Sequence, residues 1–214
     1  MNDAALRDAI CWHAASIFAR GLTGGGSGNI SARTEDGGLL VTPTGSSFGR
    51  LDPDRLSRLD AAGNLISGDK PTKEMPLHAA FYETRRNVGA VLHLHSSYSV
   101  ALSMLPGIDP DNVLPPLTAY SIMRLGKVKL LPHFRPGDPA MGDAVRALGG
   151  RRSAVLLANH GPVVAAKDLE TAVFAMEELE ETAKLALLTR GHDPIGLNKA
   201  EIDDVVTTFG VDWE

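Results

Sequence analysis

The sequence has 214 residues, of which 43% are hydrophobic and 22% are charged, an ordinary balance for one globular domain. Its formal net charge of -5 and the absence of a basic run argue against binding to nucleic acid or to an anionic membrane. Cys11 is the only cysteine, so no internal disulfide can form, and no apolar stretch reaches the length of a membrane span. We therefore predict a single domain over residues 1–214 and a cytoplasmic location.

Hydrophobic spacing and turn residues predict helices and strands along the whole chain. The predicted helices cover residues 4–20, 76–86, 118–124, 138–148 and 168–190. The predicted strands cover residues 39–45, 64–67, 89–95, 127–132 and 153–159, with loops over 23–31 and 106–116. Because helices and strands are interspersed without a clean β-α-β repeat, the pattern favours an α/β or α+β class with a layered sheet.

Two of the seven histidines form the segment His-Leu-His in the strand predicted over residues 89–95. Side chains alternate faces along a strand, so His93 and His95 point the same way, about 7 Å apart, and could hold one metal ion. His160 follows another apolar strand and precedes a predicted Gly-Pro turn, which makes it the natural third ligand. Three histidines leave an open coordination position, as in catalytic zinc sites. The alternative is that these are ordinary histidines.

Three short segments carry donors that favour an anion. "GGGSGN" (24–29) lets backbone N–H groups approach closely, and "TPTG" (42–45) offers two hydroxyls and a glycine amide. "PTKE" (71–74) offers a hydroxyl and an ammonium at a helix N-terminus. Each alone could be an ordinary loop, but together they could converge on one phosphate. Glu74 is either a first-turn acid stabilised by the helix dipole or a proton-transferring carboxylate beside the metal.

The segments "GNIS", "TPTG", "PTKE", "HLH" and "NHG" occur in this order, and the match extends over about residues 5–190. Through these segments and their order, the chain resembles the class II aldolase/adducin family. The resemblance implies an α/β fold, a three-layer α/β/α sandwich with a largely antiparallel central sheet. It also implies a homotetramer whose active sites lie between subunits.

The resemblance further implies roles for individual residues. The zinc ligands would be His93, His95 and His160, and manganese or cobalt are the other metals that such a site could use. Glu74 would be the catalytic carboxylate, and Tyr120 would reach the neighbouring subunit's active site as a proton donor. The residues at phosphate-site positions are Asn29, Thr44, Gly45, Thr72 and Lys73.

Lys73 departs from the serine that L-fuculose-1-phosphate aldolase has at the matching position. Together, "KPTKEMPLH" (70–78), "HLHSSYSVALS" (93–103) and the segment over residues 114–138 resemble one branch of the family, the 3-oxo-tetronate 4-phosphate decarboxylases. This implies a lyase of sugar acid catabolism, whose substrate is a small phosphorylated sugar acid. Loss of CO₂ would leave the enediolate of dihydroxyacetone phosphate. Lys73 would then position the substrate's carboxylate or help to hold its phosphate.

Several alternatives stay open at this point. Lys73 could be a solvated surface lysine. The enzyme could be a class II aldolase that cleaves a ketose 1-phosphate, or it could be an epimerase like L-ribulose-5-phosphate 4-epimerase. Family members of the adducin type bind the membrane skeleton and have no catalytic activity. The three histidines and Glu74 favour an enzyme over such a binding protein.

Overall fold

The computed structural model describes residues 2–213, which form eight β-strands and seven α-helices. The strands are β1 (Asn29–Arg33), β2 (Leu39–Val41), β3 (Ser57–Leu59), β4 (Leu65–Ser67), β5 (Ala90–His93), β6 (Lys129–Leu131), β7 (Ala154–Leu157) and β8 (Gly161–Ala166). The helices are α1 (Asp3–Ala19), α2 (Met75–Thr84), α3 (Ser97–Ser103), α4 (Ala119–Leu125), α5 (Ala140–Arg146), α6 (Leu169–Leu188) and α7 (Lys199–Phe209). Within residues 2–213, none of these helices has the length and apolar content needed to span a membrane.

All eight strands belong to one sheet, in the order β4-β3-β2-β1-β5-β8-β7-β6. Every neighbouring pair is antiparallel except β6 and β7, which run parallel. The predicted α/β class is therefore confirmed. The sheet is mixed, but it is largely antiparallel, as predicted. At the centre, Asn29 of β1 lies opposite His93 of β5, which in turn lies opposite Val163 of β8. This register brings residues of three separate segments to one end of the central strands.

Alternating side chains of the central strands divide the core into two clusters. In β5, Leu92 packs in a cluster with residues of α1 and α6, whereas Val91 packs in a second cluster with residues of α2 and α5. This is the expected result when a strand is covered on both faces, because successive side chains point in opposite directions. Both side chains are fully buried, and each contributes about 1.5–3 kcal/mol relative to an exposed position. Packing on both faces makes the central strands a rigid support.

Each predicted helix and strand has a counterpart in the structure, but some assignments were wrong. The loop predicted over residues 23–31 contains the start of β1, and the strand predicted over 39–45 ends at Val41. The Gly-Pro pair predicted as a turn after His160 instead opens β8. Proline is tolerated in the first residues of a strand, and here the Pro162 carbonyl accepts a hydrogen bond from Leu94 N–H. The prediction also missed other elements, namely β3, α3 and α7.

Candidate active site

Three histidines meet at one end of the central strands. His93 is the last residue of β5, His95 lies two residues further on, and His160 lies in the connection between β7 and β8. Their ring centroids are 4.8–5.0 Å apart, and one potential ligand atom from each lies within 4.8 Å of the others. The structure therefore brings together the three histidines that the sequence singled out as metal ligands.

The ring nitrogens of these histidines leave lone pairs without hydrogen-bond partners. The Nδ1–H of His93 donates to the Pro162 carbonyl at 2.9 Å, which leaves Nε2 as a potential ligand atom. Within residues 2–213, Nε2 of His93 and both ring nitrogens of His160 are buried and lack a partner. Unpartnered buried polar atoms are unfavourable, and a divalent metal would bind one ring nitrogen of each histidine. The donor set thus fits a divalent metal such as zinc.

Burial keeps the imidazoles neutral. Burial lowers the pKa of His93 to about 3, although the nearby Glu74 opposes the shift. Burial also lowers the pKa of His95 and His160 below the usual value for histidine. Neutral imidazoles are the form that binds metals, so the cluster is ready for a cation near neutral pH.

Glu74 lies at the start of α2 and points at the histidines. Its side chain makes no capping hydrogen bond to the helix, and it is 3% exposed. Oε2 is 3.5 Å from Nε2 of His93, and Oε1 is 3.4 Å from Nε2 of His160. Burial alone would raise the pKa of Glu74, but His93 and a hydrogen bond from the Asn29 amide lower it. The arrangement favours a carboxylate that belongs to the histidine cluster over a first-turn acid that only stabilises the helix.

The three segments predicted to hold a phosphate lie side by side. A Cβ atom placed on Gly26 would lie 3.5 Å from the Gly45 carbonyl oxygen, so the glycine-rich loop touches the "TPTG" turn. The Thr72 N–H donates to the Thr42 carbonyl at 3.2 Å, which joins the turn to the third segment. Gly45 has φ +73, a conformation that favours glycine. The segments therefore converge, as a shared phosphate site requires.

Two of the predicted phosphate residues also make contacts with Glu74. The Thr72 hydroxyl oxygen accepts a hydrogen bond from the Glu74 backbone N–H at 3.3 Å, and Thr72 is buried. One amide N–H of Asn29 donates to Glu74 Oε2 at 2.8 Å. These contacts tie the predicted phosphate site directly to the carboxylate.

Lys73 is exposed, but it lies close to the histidines. Its methylene groups pass beside Gly137, where an added Cβ would lie 3.2 Å from Lys73 Cγ. After burial and other charges, the Lys73 ammonium also contributes to the lowered pKa of His95 and His160. The positive charge of Lys73 is therefore felt at two of the three imidazoles.

Tyr120 is not brought to the histidines of the same chain. It lies on α4, it is 60% exposed, and it lines a separate cleft with Arg124, Phe174 and Glu177. Its predicted role in a neighbouring subunit's site stays a prediction.

Sequence reasoning missed three polar residues behind Asn29, namely Ser31, His78 and Tyr82. One signal was available, since His78 lies four residues after Glu74 and thus on the same face of a helix. Ser31 and Tyr82 offered no comparable pattern, because their contacts depend on how α2 packs against β1.

Comparison with known proteins identifies the family. The profile described as "Class II Aldolase and Adducin N-terminal domain" matches residues 8–187. The chain belongs to this family. The 3-oxo-tetronate 4-phosphate decarboxylase of Haemophilus influenzae is 46% identical over 96% of this chain and 98% of its own length. The L-fuculose phosphate aldolase of Methanocaldococcus jannaschii is 33% identical over 80% of this chain and 90% of its own length.

A solved structure gives the same result. YgbL from Klebsiella pneumoniae superposes with a TM-score of 0.93 at 43% identity, covering 96% of this chain and 99% of that one. The class II aldolase fold is thus confirmed, as is the family resemblance stated from the sequence. In this family the three histidines are the natural place for a divalent metal.

Proposed function

We propose that this protein is a metal-dependent lyase that converts a 3-oxo-tetronate 4-phosphate to dihydroxyacetone phosphate and CO₂. The observation that carries the proposal is a partly buried three-histidine cluster that also contains a carboxylate and feels the positive charge of Lys73. Curated relatives that are 46–49% identical and bear the name 3-oxo-tetronate 4-phosphate decarboxylase support it. Loss of CO₂ from such a substrate breaks the C1–C2 bond, and the electron pair passes to the C3 carbonyl oxygen as an enediolate.

The chain supplies groups that bind and orient both ends of this substrate. When held by His93, His95 and His160, a divalent metal supplies Lewis-acid chemistry toward a carbonyl. The converging segments around Gly45 would hold the phosphate through backbone N–H groups. Lys73 would orient the carboxylate. A cation that bound the departing carboxylate too tightly would slow its loss, so a positioning role is the one that assists catalysis.

The carboxylate of Glu74 would control the proton. The overall reaction consumes one proton, which is added to C2 of the enediolate after CO₂ leaves. Glu74 rests as a carboxylate, because its pKa is lowered by His93 and Asn29 against the effect of burial. It would first accept the one proton that the reaction consumes from the solvent, then deliver it to C2 and return to the carboxylate, the general-acid step. Tyr120 of a neighbouring subunit is the second candidate donor.

Further features belong to the same proposal. Zinc is the proposed metal, and a homotetramer with active sites between subunits would bring Tyr120 to a neighbouring site.

The fold is proposed to be a three-layer α/β/α sandwich. The core clusters support it, because α1 and α6 form one cluster on one side of the sheet, and α2 and α5 form the other cluster on the opposite side. We also propose that residues 1–214 form a single domain that acts in the cytoplasm in sugar acid catabolism.

Aldol cleavage of a ketose 1-phosphate is the second candidate, favoured by the 33% identity to an L-fuculose phosphate aldolase. The test is to give the zinc-loaded protein 3-oxo-tetronate 4-phosphate and, separately, L-fuculose 1-phosphate. Both reactions form dihydroxyacetone phosphate, so CO₂ and released aldehyde are the products to follow. We expect CO₂ in step with dihydroxyacetone phosphate and loss of activity with a chelator. Aldehyde without CO₂ would establish the aldolase instead.

A further inference from the structure

A row of polar side chains, buried except for the half-buried Tyr82, runs from the candidate active site along the face of α2 that contacts β1. The Asn29 amide N–H donates to Glu74 Oε2 at 2.8 Å, and the Asn29 carbonyl oxygen contacts Nε2 of His78. Nδ1 of His78 lies 2.7 Å from the Ser31 hydroxyl, which lies 3.0 Å from the Tyr82 hydroxyl. Four hydrogen bonds therefore connect Tyr82 to the carboxylate of Glu74.

The chemistry of the groups gives every bond in this row the same direction. An ionised carboxylate can only accept, so the amide nitrogen of Asn29 faces Glu74 and its carbonyl oxygen faces His78. Nε2 of His78 must then carry the proton, which leaves Nδ1 as an acceptor for the Ser31 hydroxyl. The Ser31 oxygen in turn accepts from the hydroxyl of Tyr82. One arrangement of protons thus satisfies all five side chains.

The surroundings keep the two titratable members of the row in the forms that this arrangement needs. His78 is fully buried, and burial lowers its pKa to about 4, so the ring is neutral and has a single N–H. Burial raises the pKa of Tyr82, so its phenol stays a donor. The guanidinium of Arg33 lies over the ring of Tyr82, 4.8 Å from its centre, and packs that end of the row.

Glu74 depends on this row for its orientation. Within residues 2–213, the bond from Asn29 is the hydrogen bond that the Glu74 carboxylate receives, and its other close neighbours are the imidazole nitrogens of His93 and His160. Those nitrogens are potential metal ligands, so they cannot also hold the carboxylate. Asn29 is itself fixed from behind by His78, because an amide bonded on both sides cannot rotate without losing a bond.

We propose that Tyr82, Ser31, His78 and Asn29 act together as positioning residues that hold Glu74 in place for proton transfer. This inference rests on the proposed function and adds to it. It gives Asn29 a second role, since one of its two amide N–H groups is used on Glu74 and the other remains for phosphate. The row is fully buried at His78, so a change there acts on catalysis through Glu74 and not through contact with substrate.

Substitutions of His78 provide the test. In His78→Leu the row is broken with little change in volume, and we expect kcat to fall about 100-fold, with KM nearly unchanged and zinc content still equal to wild type. In His78→Gln the amide N–H can replace Nε2–H, and we expect most of kcat to return. Tyr82→Phe removes only the last donor, and we expect a loss of about threefold to tenfold. His13→Leu, in the partly buried face of α1, is the matched control.

Three results would overturn the proposal: wild-type kcat in His78→Leu, no recovery in His78→Gln, or a loss of kcat that follows loss of zinc. Nitrogen-15 NMR of the histidine rings gives a readout that does not depend on activity. We expect His78 to be the neutral tautomer with its proton on Nε2, and a proton on Nδ1 would contradict the row. A wild-type protein that releases no CO₂ counts against the proposed function alone, and the tautomer still decides the inference.

Discussion

The backbone packing around Gly161 leads to a strong prediction about metal binding. Gly161 directly follows His160, and a Cβ atom at this position would lie 2.1 Å from the Leu94 carbonyl oxygen and 3.3 Å from the His95 Cα. Real Cβ contacts below 3.0 Å are essentially absent, so Gly161→Ala must separate the two backbones by about 1 Å. That displacement moves His160 away from His93 and His95. Changes to residues that orient metal ligands typically cost 10–100-fold in affinity, and we expect a loss of zinc affinity in this range.

Gly89 provides a matched control on the same two strands. A Cβ at Gly89 would lie 2.1 Å from the Lys167 carbonyl oxygen, an equally severe contact. Gly89 is four residues before His93, about 13 Å along the strand, at the opposite end from the histidines. Thermal unfolding and competition with a zinc-binding dye should show that both alanine variants lose stability, but only Gly161→Ala loses affinity. Equal affinities in the two variants would refute this account of the site.

The other predictions concern charge and protonation. Glu74→Gln should keep its zinc but lower kcat for CO₂ release about 100-fold or more, and full turnover would remove this carboxylate from the mechanism. Lys73→Ser should raise KM for the sugar acid phosphate about 10-fold, as expected for loss of a charge-assisted contact, and an unchanged KM would make Lys73 a simple surface residue. For His78, burial lowers the pKa from 6.5 to about 4, so the unfolded state binds more protons between these values. The free energy of unfolding of the metal-free protein should therefore fall as pH decreases from 6.5 to 4. The contribution of His78 to this fall is up to about 1.4 kcal/mol per pH unit. Urea titrations at several pH values should show a smaller slope for His78→Gln than for the wild type.

Much of the histidine cluster could be predicted from sequence because its residues follow local rules. Strand alternation places His93 and His95 on the same side, and their rings lie 5.0 Å apart in the structure. The position of Glu74 just before a helix was also correct. His160 was predicted to lie just beyond an apolar strand, and it does, although the Gly-Pro pair that follows it starts β8 and is not a turn.

The rest could not be predicted, because it depends on contacts between distant segments. Asn29 reaches Glu74 only because β1 pairs with β5 in the register that sets Asn29 opposite His93. The contact of Ser31 with Tyr82 likewise requires α2 to pack over β1. Neither the pairing register nor the packing is encoded in a short motif. In the sequence, Asn29 could be assigned only as a phosphate-site residue, and its contact with the carboxylate became visible in three dimensions.

The measurement that tests the central claim most directly is the ratio of CO₂ to dihydroxyacetone phosphate. Both enantiomers of 3-oxo-tetronate 4-phosphate, carrying carbon-13 in the carboxylate, would be given to the metal-free protein and again after zinc is restored. We predict labelled CO₂ in equal amount to dihydroxyacetone phosphate with one enantiomer, and no reaction without metal. Decarboxylation at the same rate without metal, or no labelled CO₂ from either enantiomer, would contradict the account.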